Sequence, residues 1–366
     1  MFWTHQNIRR ILLDFVQKVI PNSHKNGKLE LYVGNDLAQD FGLSSMQIVE
    51  LAAYINSFFH FFDSKNPPSL LTDSLLDNWV QKVLDVRMEN DEFLSFQSSG
   101  TTGNSKIIKH SIEFINCEVE FLKGILHQPK RIISFVPTNH IYGFLFALVL
   151  PQYWGIPIVF ISQLDKCCFE SDDLIIATPF NWQFIYDSLN NKTCNCAGVS
   201  SGAPLNDQLY NQLLNLGFGV TEIFGSTETA GIGFRHKPFK PFELFPYWTF
   251  NENGKSIYRK YDHQNFHLLD HIHLQTSTTF TIGSRLDEMI QIGGVNISLT
   301  NIQEKIQTIS FVTKAIVYAK SVGTGVLIGV TVSLSNQDEL TKLKFIQEIN
   351  QLLDPLEMPT NISFVS

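Results

Sequence analysis

Phe96-Gln-Ser-Ser-Gly-Thr-Thr-Gly-Asn-Ser-Lys-Ile-Ile-Lys-His110 is the stretch on which the fold turns. An apolar run, Phe93 to Phe96, precedes it. A helical pattern follows, with Ile112, Ile115, Val119 and Leu122 at helix spacing and Ser111 placed to cap the first turn. Strand, small-residue loop, then helix is an order that converges backbone N–H groups on phosphate oxygens. Glycines let the chain curl, hydroxyls add donors, and Lys106 supplies a point charge. The stretch therefore predicts a nucleotide-phosphate site. A Walker loop needs a Gly-Lys pair followed by Ser or Thr, whereas Ser105 precedes Lys106 here and Ile107 follows it. The plain alternative is a flexible surface loop.

The rest of the chain bounds this reading. Its 366 residues allow two or three domains, and 44% hydrophobic content can fill their cores. A net charge of −8 argues against general binding to nucleic acid or anionic membranes. The longest apolar stretch, Tyr142 to Leu150, is closed by Pro151 and is too short to span a bilayer. The N-terminus lacks a secretory core with a cleavage site, so a soluble cytoplasmic protein is expected. Five cysteines, an odd number, suggest no disulfide framework. Cys167-Cys168 and Cys194-Asn-Cys196 lack the spacing of metal knuckles and read as buried thiols.

Further motifs follow in order: Pro137-Thr-Asn-His140-Ile-Tyr-Gly143, Val199-Ser-Ser-Gly-Ala-Pro-Leu205, Gly225-Ser-Thr-Glu228, Leu268-Leu-Asp270 and Gly283-Ser-Arg-Leu-Asp287. With the first stretch they resemble the adenylate-forming superfamily: acyl-CoA and acyl-carrier synthetases, aryl-acid ligases and nonribosomal adenylation domains. The family phosphate loop reads Ser-Gly-Thr-Thr-Gly-x-Pro-Lys-Gly, and this chain departs from it at Ser105 and Ile107.

The resemblance covers about Phe93 to Ser366 and implies roles residue by residue. Ser99, Gly100, Thr101, Thr102, Gly103 and Lys106 would hold the ATP phosphates, and His140 would lie near the acid carboxylate. Ser201, Gly202 and Ala203 would back the adenine. Gly225 would let the backbone approach the acyl group, Thr227 would donate to the α-phosphate, and Glu228 would bind Mg2+. Asp270 and Arg285 would hold the ribose, and Asp287 would be the hinge of a small C-terminal subdomain. Gln291 and Asn296 replace a usual Lys and Arg, which puts the thiol-binding face in doubt. The chain stops at Ser366, before the place where the family carries a Gly-Lys loop whose lysine stabilises charge during adenylation.

The N-terminal segment reads as helices. Ile8, Ile11, Leu12, Phe15 and Val19 mark one face, Ile48, Leu51, Ala52 and Ile55 a second, and Leu76, Trp79, Val80 and Val83 a third. Gly42-Leu-Ser-Ser-Met46 at the start of the second helix is similar to the Gly-x-Asp-Ser-Leu of acyl carrier proteins, with Ser45 at the phosphopantetheine position. The alternative is a helical bundle in which Ser44 and Ser45 cap a helix. Asp85 to Asp91, charged and without an apolar stripe, reads as a linker.

The expected architecture is multidomain. An all-α four-helix carrier-like bundle spans residues 1–88, an α/β adenylate-forming core 89–282, and a small α+β subdomain 283–366. The expected activity joins a carboxylic acid, fatty or aryl, to a phosphopantetheine thiol through acyl-AMP. ATP and Mg2+ are the expected cofactors, and the thiol is an arm on Ser45, another carrier protein or CoA. A phosphopantetheinyl transferase and an acyl-chain synthase are candidate partners. A degenerate ligase fold acting as a scaffold without chemistry is the rival.

Overall fold

In the computed structural model the described residues are 3–20, 34–98, 106–161, 169–189, 192–251, 254–285, 289–292, 295–322 and 325–365. The N-terminal apolar faces become α1 (His5–Val19), α2 (Ser45–Phe58) and α3 (Leu76–Glu89), with short 3-10 turns at Phe61–Asp63 and Leu70–Thr72. Thr4 caps α1 by accepting from the Asn7 N–H, and Ser44 and Gln47 form a capping box at α2.

Three α-helices thus stand among the described residues where a four-helix bundle was expected, and they do not close a core of their own. Phe58 packs edge-on against Phe96 at 5.0 Å and meets Phe144 at 6.1 Å, and Trp3 lies 6.0 Å from Phe144. One apolar cluster runs from Trp3 to Phe280, across the boundary expected at residue 88. The expected linker is also helix: α3 continues through Asp85 to Glu89, and Arg87 is only 2% exposed. Its guanidinium donates to the Phe59 and Phe93 carbonyls and pairs with Asp91. The charged string hides this role because an arginine can pack its stem like an apolar residue.

The phosphate-loop stretch differs from strand-loop-helix. β1 (Phe93–Gln97) and β2 (Ile107–Ser111) pair antiparallel, Gln97 opposite Ile107, so the loop tops a hairpin. Only then does α4 (Ile112–Ile125) begin, with Ser111 ending β2 and capping the helix by accepting from the Phe114 N–H at 3.1 Å.

β3 (Arg131–Ser134) leads to α5 (Ile141–Phe144), which passes through a π-helical turn at Leu145–Val149 into α6 (Leu150–Trp154). Pro151, which closes the apolar stretch Tyr142 to Leu150, lies inside this helix. Proline has no N–H and crowds the carbonyl four residues back, and the wider π turn ahead of it relieves both conflicts. Gly155, at φ 65°, closes the helix.

Next come β4 (Ile158–Phe160), β5 (Asp173–Ala177), α7 (Pro179–Ser188), β6 (Cys196–Ser200), α8 (Asp207–Asn215) and β7 (Phe218–Ser226). Strands β4, β3, β5, β6 and β7 lie side by side and parallel. β5 is buried throughout, as a parallel strand covered on both faces must be. One face joins the large cluster, while Ile175, Trp182, Leu213 and Phe218 belong to a second cluster beneath α7 and α8.

β8 (Ala230–Arg235) and β9 (Phe242–Leu244) extend the sheet antiparallel. A meander of β10 (Trp248–Phe250), β11 (Ser256–Arg259) and β12 (Gln264–His267) then precedes β13 (Asp270–Leu274) and β14 (Thr279–Arg285), which bring the sheet to nine strands among the described residues. The last segment holds the hairpin β15 (Met289–Ile292) and β16 (Val295–Ser298), α9 (Leu299–Gln307), β17 (Val312–Val322), β18 (Gly325–Leu334), α10 (Glu339–Leu352) and β19 (Asn361–Val365). It has a third apolar cluster, built on Ile302, Ile306, Val330, Phe345 and Ile349. Among the described residues no helix is long and apolar enough to cross a membrane.

Candidate functional site

Parallel strands put the loops that follow them on one edge of the sheet, where α/β proteins bind ligands. The loops leaving β3, β6 and β7 carry Thr138 to His140, Ser201 to Ala203, and Thr227 with Glu228. Motifs far apart in sequence therefore arrive together.

The β7–β8 turn is held by its own hydroxyls. The Ser226 N–H donates to Thr229 Oγ1 at 3.1 Å, and the Glu228 and Thr229 N–H groups donate to Ser226 Oγ at 3.2 and 3.3 Å. Gly225 faces Gly231 across the hairpin, and a Cβ at 225 would lie 2.0 Å from the Ala230 carbonyl oxygen, so only glycine fits. Thr227 and Glu228 stand half-exposed at the tip. The Glu228 carboxylate makes no hydrogen bond or ion pair among the described residues, and an uncommitted carboxylate is a donor that could hold hydrated Mg2+.

The β1–β2 hairpin, expected to carry the phosphate loop, is pinched where Ser98 meets Lys106. The Ser98 N–H donates to the Lys106 carbonyl at 2.9 Å, and the Lys106 N–H donates to Ser98 Oγ at 3.2 Å. Lys106 is exposed; Ser99, Gly100, Thr101, Thr102 and Gly103 lie outside the described residues. Four residues along β2, the buried His110 donates from Nε2 to the Thr227 carbonyl at 2.7 Å. That carbonyl can only accept, so Nε2 carries the proton. Burial pushes the His110 pKa down to about 4, which keeps the ring neutral. This bond ties the β1–β2 hairpin to the Thr-Glu turn.

A third support comes from α1. Asp14, 3% exposed, accepts from the Thr138 N–H and hydroxyl, both at 2.6 Å, and pairs with Arg10. The loop carrying His140 is thus fastened to the N-terminal helix. Gly143 allows the next helix to start against this loop, because a Cβ there would lie 2.0 Å from the Pro137 carbonyl oxygen.

The sequence matches the AMP-binding enzyme family over residues 64–247, just over half of the chain. The chain belongs to the AMP-binding enzyme family. Among curated relatives, a 4-coumarate–CoA ligase of Cereibacter sphaeroides is 31% identical over 269 residues, covering 70% of this chain and 64% of the relative. A 4-coumarate–CoA ligase of Halorhodospira halophila is 28% identical over 277 residues, covering 74% of this chain and 70% of the relative. Among solved structures, an amide bond synthetase from Marinactinospora thermotolerans superimposes with a TM-score of 0.64 at 12% identity, covering 99% of this chain and 90% of that one. That likeness concerns the fold, and it includes the N-terminal helices. The family match begins at residue 64, inside the segment expected to be a carrier.

Other expected residues of this AMP-binding chain sit as follows. Ser201 is buried, Gly202 adopts a left-handed φ of 89° that favours glycine, and Ala203 is half-buried. Asp270 pairs in register with Arg285 across β13 and β14, so the two ribose candidates are neighbours in the sheet. Asp287 lies outside the described residues. Ser45 is exposed in the first turn of α2. Cys196 is buried, Cys194 is half-buried, and Cys167 and Cys168 lie outside the described residues. Among the described residues no group of three or more His, Cys, Asp or Glu could hold a metal.

His110, Glu118 and Asp14 were not singled out from the sequence. For the two acids a signal exists: Glu118 falls between Ile115 and Leu122 on the buried stripe of α4, and Asp14 sits among Ile11, Leu12 and Phe15 on α1. An acid inside an apolar stripe needs a partner. Glu118 accepts from the Gly231 N–H at 2.9 Å through Oε1, holding the first strand after the Thr-Glu turn, with the Tyr247 hydroxyl as a polar neighbour. Burial raises its pKa to about 8.

A pH dependence follows. Between the ordinary value of 4.5 and about 8, the folded state keeps a proton on Glu118 that the unfolded chain releases. Stability therefore falls as pH rises through that window. Glu118→Gln keeps the acceptor oxygen and removes the charge, so its urea midpoint should change less between pH 6 and pH 9 than that of the wild type. His110 acts in the opposite sense. Below its ordinary 6.5 the unfolded imidazole binds a proton that the folded one refuses until about 4.

Proposed function

We propose that the chain activates a carboxylic acid with ATP and passes the acyl group to the thiol of CoA. A carboxylate oxygen attacks the α-phosphorus, the bond to the bridging oxygen breaks, and pyrophosphate leaves. The thiol sulfur then attacks the acyl carbonyl, its proton is released, and AMP departs. In this reading Lys106, Thr101 and Thr102 hold phosphate, Thr227 donates to the α-phosphate, and Glu228 would hold the magnesium. Asp270 and Arg285 hold ribose, His140 lies by the carboxylate, and Asp287 is the hinge. The metal supplies charge neutralisation, and the chain's own part is to orient the reactants in line.

The observation that supports this reading is the bond from His110 to Thr227, which joins the β1–β2 hairpin to the Thr-Glu turn. Family membership and relatives named 4-coumarate–CoA ligase support an aryl acid and CoA. The test is acid-dependent exchange of labelled pyrophosphate into ATP, with 4-coumarate, benzoate and a fatty-acid series. Exchange with at least one acid is expected, and its absence with all of them favours the scaffold role.

An arm on Ser45 is the second acceptor to weigh, and the exposure of that serine at the start of α2 favours it. The packing of α1 to α3 into the common core weighs against it, since a carrier must leave the ligase surface to deliver its load. We therefore expect the intact mass of the protein to be unchanged after incubation with CoA and a phosphopantetheinyl transferase. A gain of one arm that disappears in Ser45→Ala would reinstate the carrier.

A further inference from the structure

β13 lies at one edge of the nine-stranded sheet among the described residues, paired on its inner side with β14. Its sequence, Asp270-His-Ile-His-Leu274, sets two imidazoles two residues apart. Successive side chains of a strand point to opposite faces, so His271 and His273 share one face and Ile272 takes the other. Burial follows the alternation. Ile272 is half-buried and packs against the main apolar cluster, whereas both histidines are exposed.

The neighbouring strand leaves room for the two rings. His273 stands opposite Thr281 on β14, and Gly283 lies two residues further along that strand. A Cβ at position 283 would be 3.0 Å from His273 Nε2 and 3.1 Å from His271 Cβ, so both histidines reach over one spot that the glycine keeps open. An imidazole nitrogen binds Zn2+ at about 2.0–2.1 Å, and rotation of the His271 side chain alone can bring a second nitrogen to an ion held by His273. Neither ring makes a hydrogen bond or an ion pair among the described residues, so both are free to ligate. No third His, Cys, Asp or Glu joins them there, and water would complete the coordination. Two neutral imidazoles suit Zn2+, Ni2+ or Cu2+; Mg2+ takes oxygen ligands.

We infer that His271 and His273 form a two-histidine chelate for a borderline divalent transition-metal ion, Zn2+ in type, on the exposed face of β13. Asp270 alternates onto the Ile272 face. The ion would therefore sit across the strand from the ribose candidate, and its binding is independent of acid activation. The alternative is a solvated surface on which each ring meets Zn2+ alone, as His127, exposed after α4, would.

The experiment treats the full chain with diethyl pyrocarbonate, which modifies free imidazole nitrogens, over a series of ZnCl2 concentrations. Excess MgCl2 is present throughout to fill sites built from oxygen. Mass spectrometry of the digest reads each histidine separately. In the wild type, modification of His271 and His273 should slow together at one Zn2+ concentration while His127 stays reactive. MgCl2 without ZnCl2 should protect neither. Joining two ligands in one chelate raises affinity by about a hundredfold to ten-thousandfold over either alone. His273→Ala should therefore raise the Zn2+ concentration that half-protects His271 by about tenfold or more, and His271→Ala should do the same for His273. Unchanged far-ultraviolet circular dichroism checks that both variants fold, and the wild-type comparison with His127 needs no variant. Protection of His127 at the same Zn2+ concentration overturns the inference, as does unaltered protection of His271 in His273→Ala or no protection in the wild type.

Discussion

Replacing Glu228 with glutamine should lower acid-dependent pyrophosphate exchange by about a hundredfold or more while leaving the urea midpoint of unfolding unchanged. The two halves of this result have separate causes. The turn is built by Ser226 and Thr229 through their hydroxyls and backbone, and the Glu228 side chain contributes no hydrogen bond or ion pair to it among the described residues. Stability should therefore be indifferent to the change. Chemistry should not be: in the proposed function Glu228 would hold the magnesium, and the amide lacks the charge to do so. Removal of one stabiliser of developing charge costs about a hundredfold to a thousandfold in comparable sites. A loss of less than about threefold would place the metal elsewhere.

The second large effect is on stability. Asp14→Ala should destabilise the chain by about 3 kcal/mol, the lower end of what breaking a buried charged pair costs. Asp14 accepts two hydrogen bonds from Thr138 and pairs with Arg10, and alanine leaves the Thr138 N–H and hydroxyl buried without their acceptor. The site of the damage matters as much as its size. Trp182 is fully buried in the cluster under α7 and α8, far along the sequence from α1. If the N-terminal helices belong to the ligase body, the urea transition followed by tryptophan fluorescence should move as a whole. A wild-type-like transition of the core, with only a separate early step displaced, would instead restore an independent module over residues 1–88.

What the sequence makes legible follows from how local each signal is. Ser111 caps α4 as its spacing predicts, because a cap depends on three or four neighbouring residues. The strand-to-helix reading of the phosphate loop misses β2, since Ile107 to Ser111 alternates too briefly to outweigh the helix pattern that begins at Ile112. The carrier resemblance at Gly42 to Met46 describes one helix start and carries no information about what the helix packs on. That partner is set by Phe58 against Phe96 and Phe144, contacts between residues dozens of positions apart. The role of His110 is invisible in the sequence, because its partner is a backbone carbonyl at position 227, and a backbone atom leaves no mark there. Buried acids are the more readable kind, since Asp14 and Glu118 each interrupt an apolar stripe.

The central claim is that the hairpin bearing the phosphate loop and the turn bearing Glu228 form one nucleotide site. Amide hydrogen exchange, followed by mass spectrometry with and without ATP and Mg2+, reads both segments in a single experiment. The account predicts that peptides spanning Ser98 to Lys106 and Gly225 to Thr229 gain protection together, at the same ATP concentration. Protection of one segment without the other, or of neither at saturating ATP and Mg2+, would contradict it.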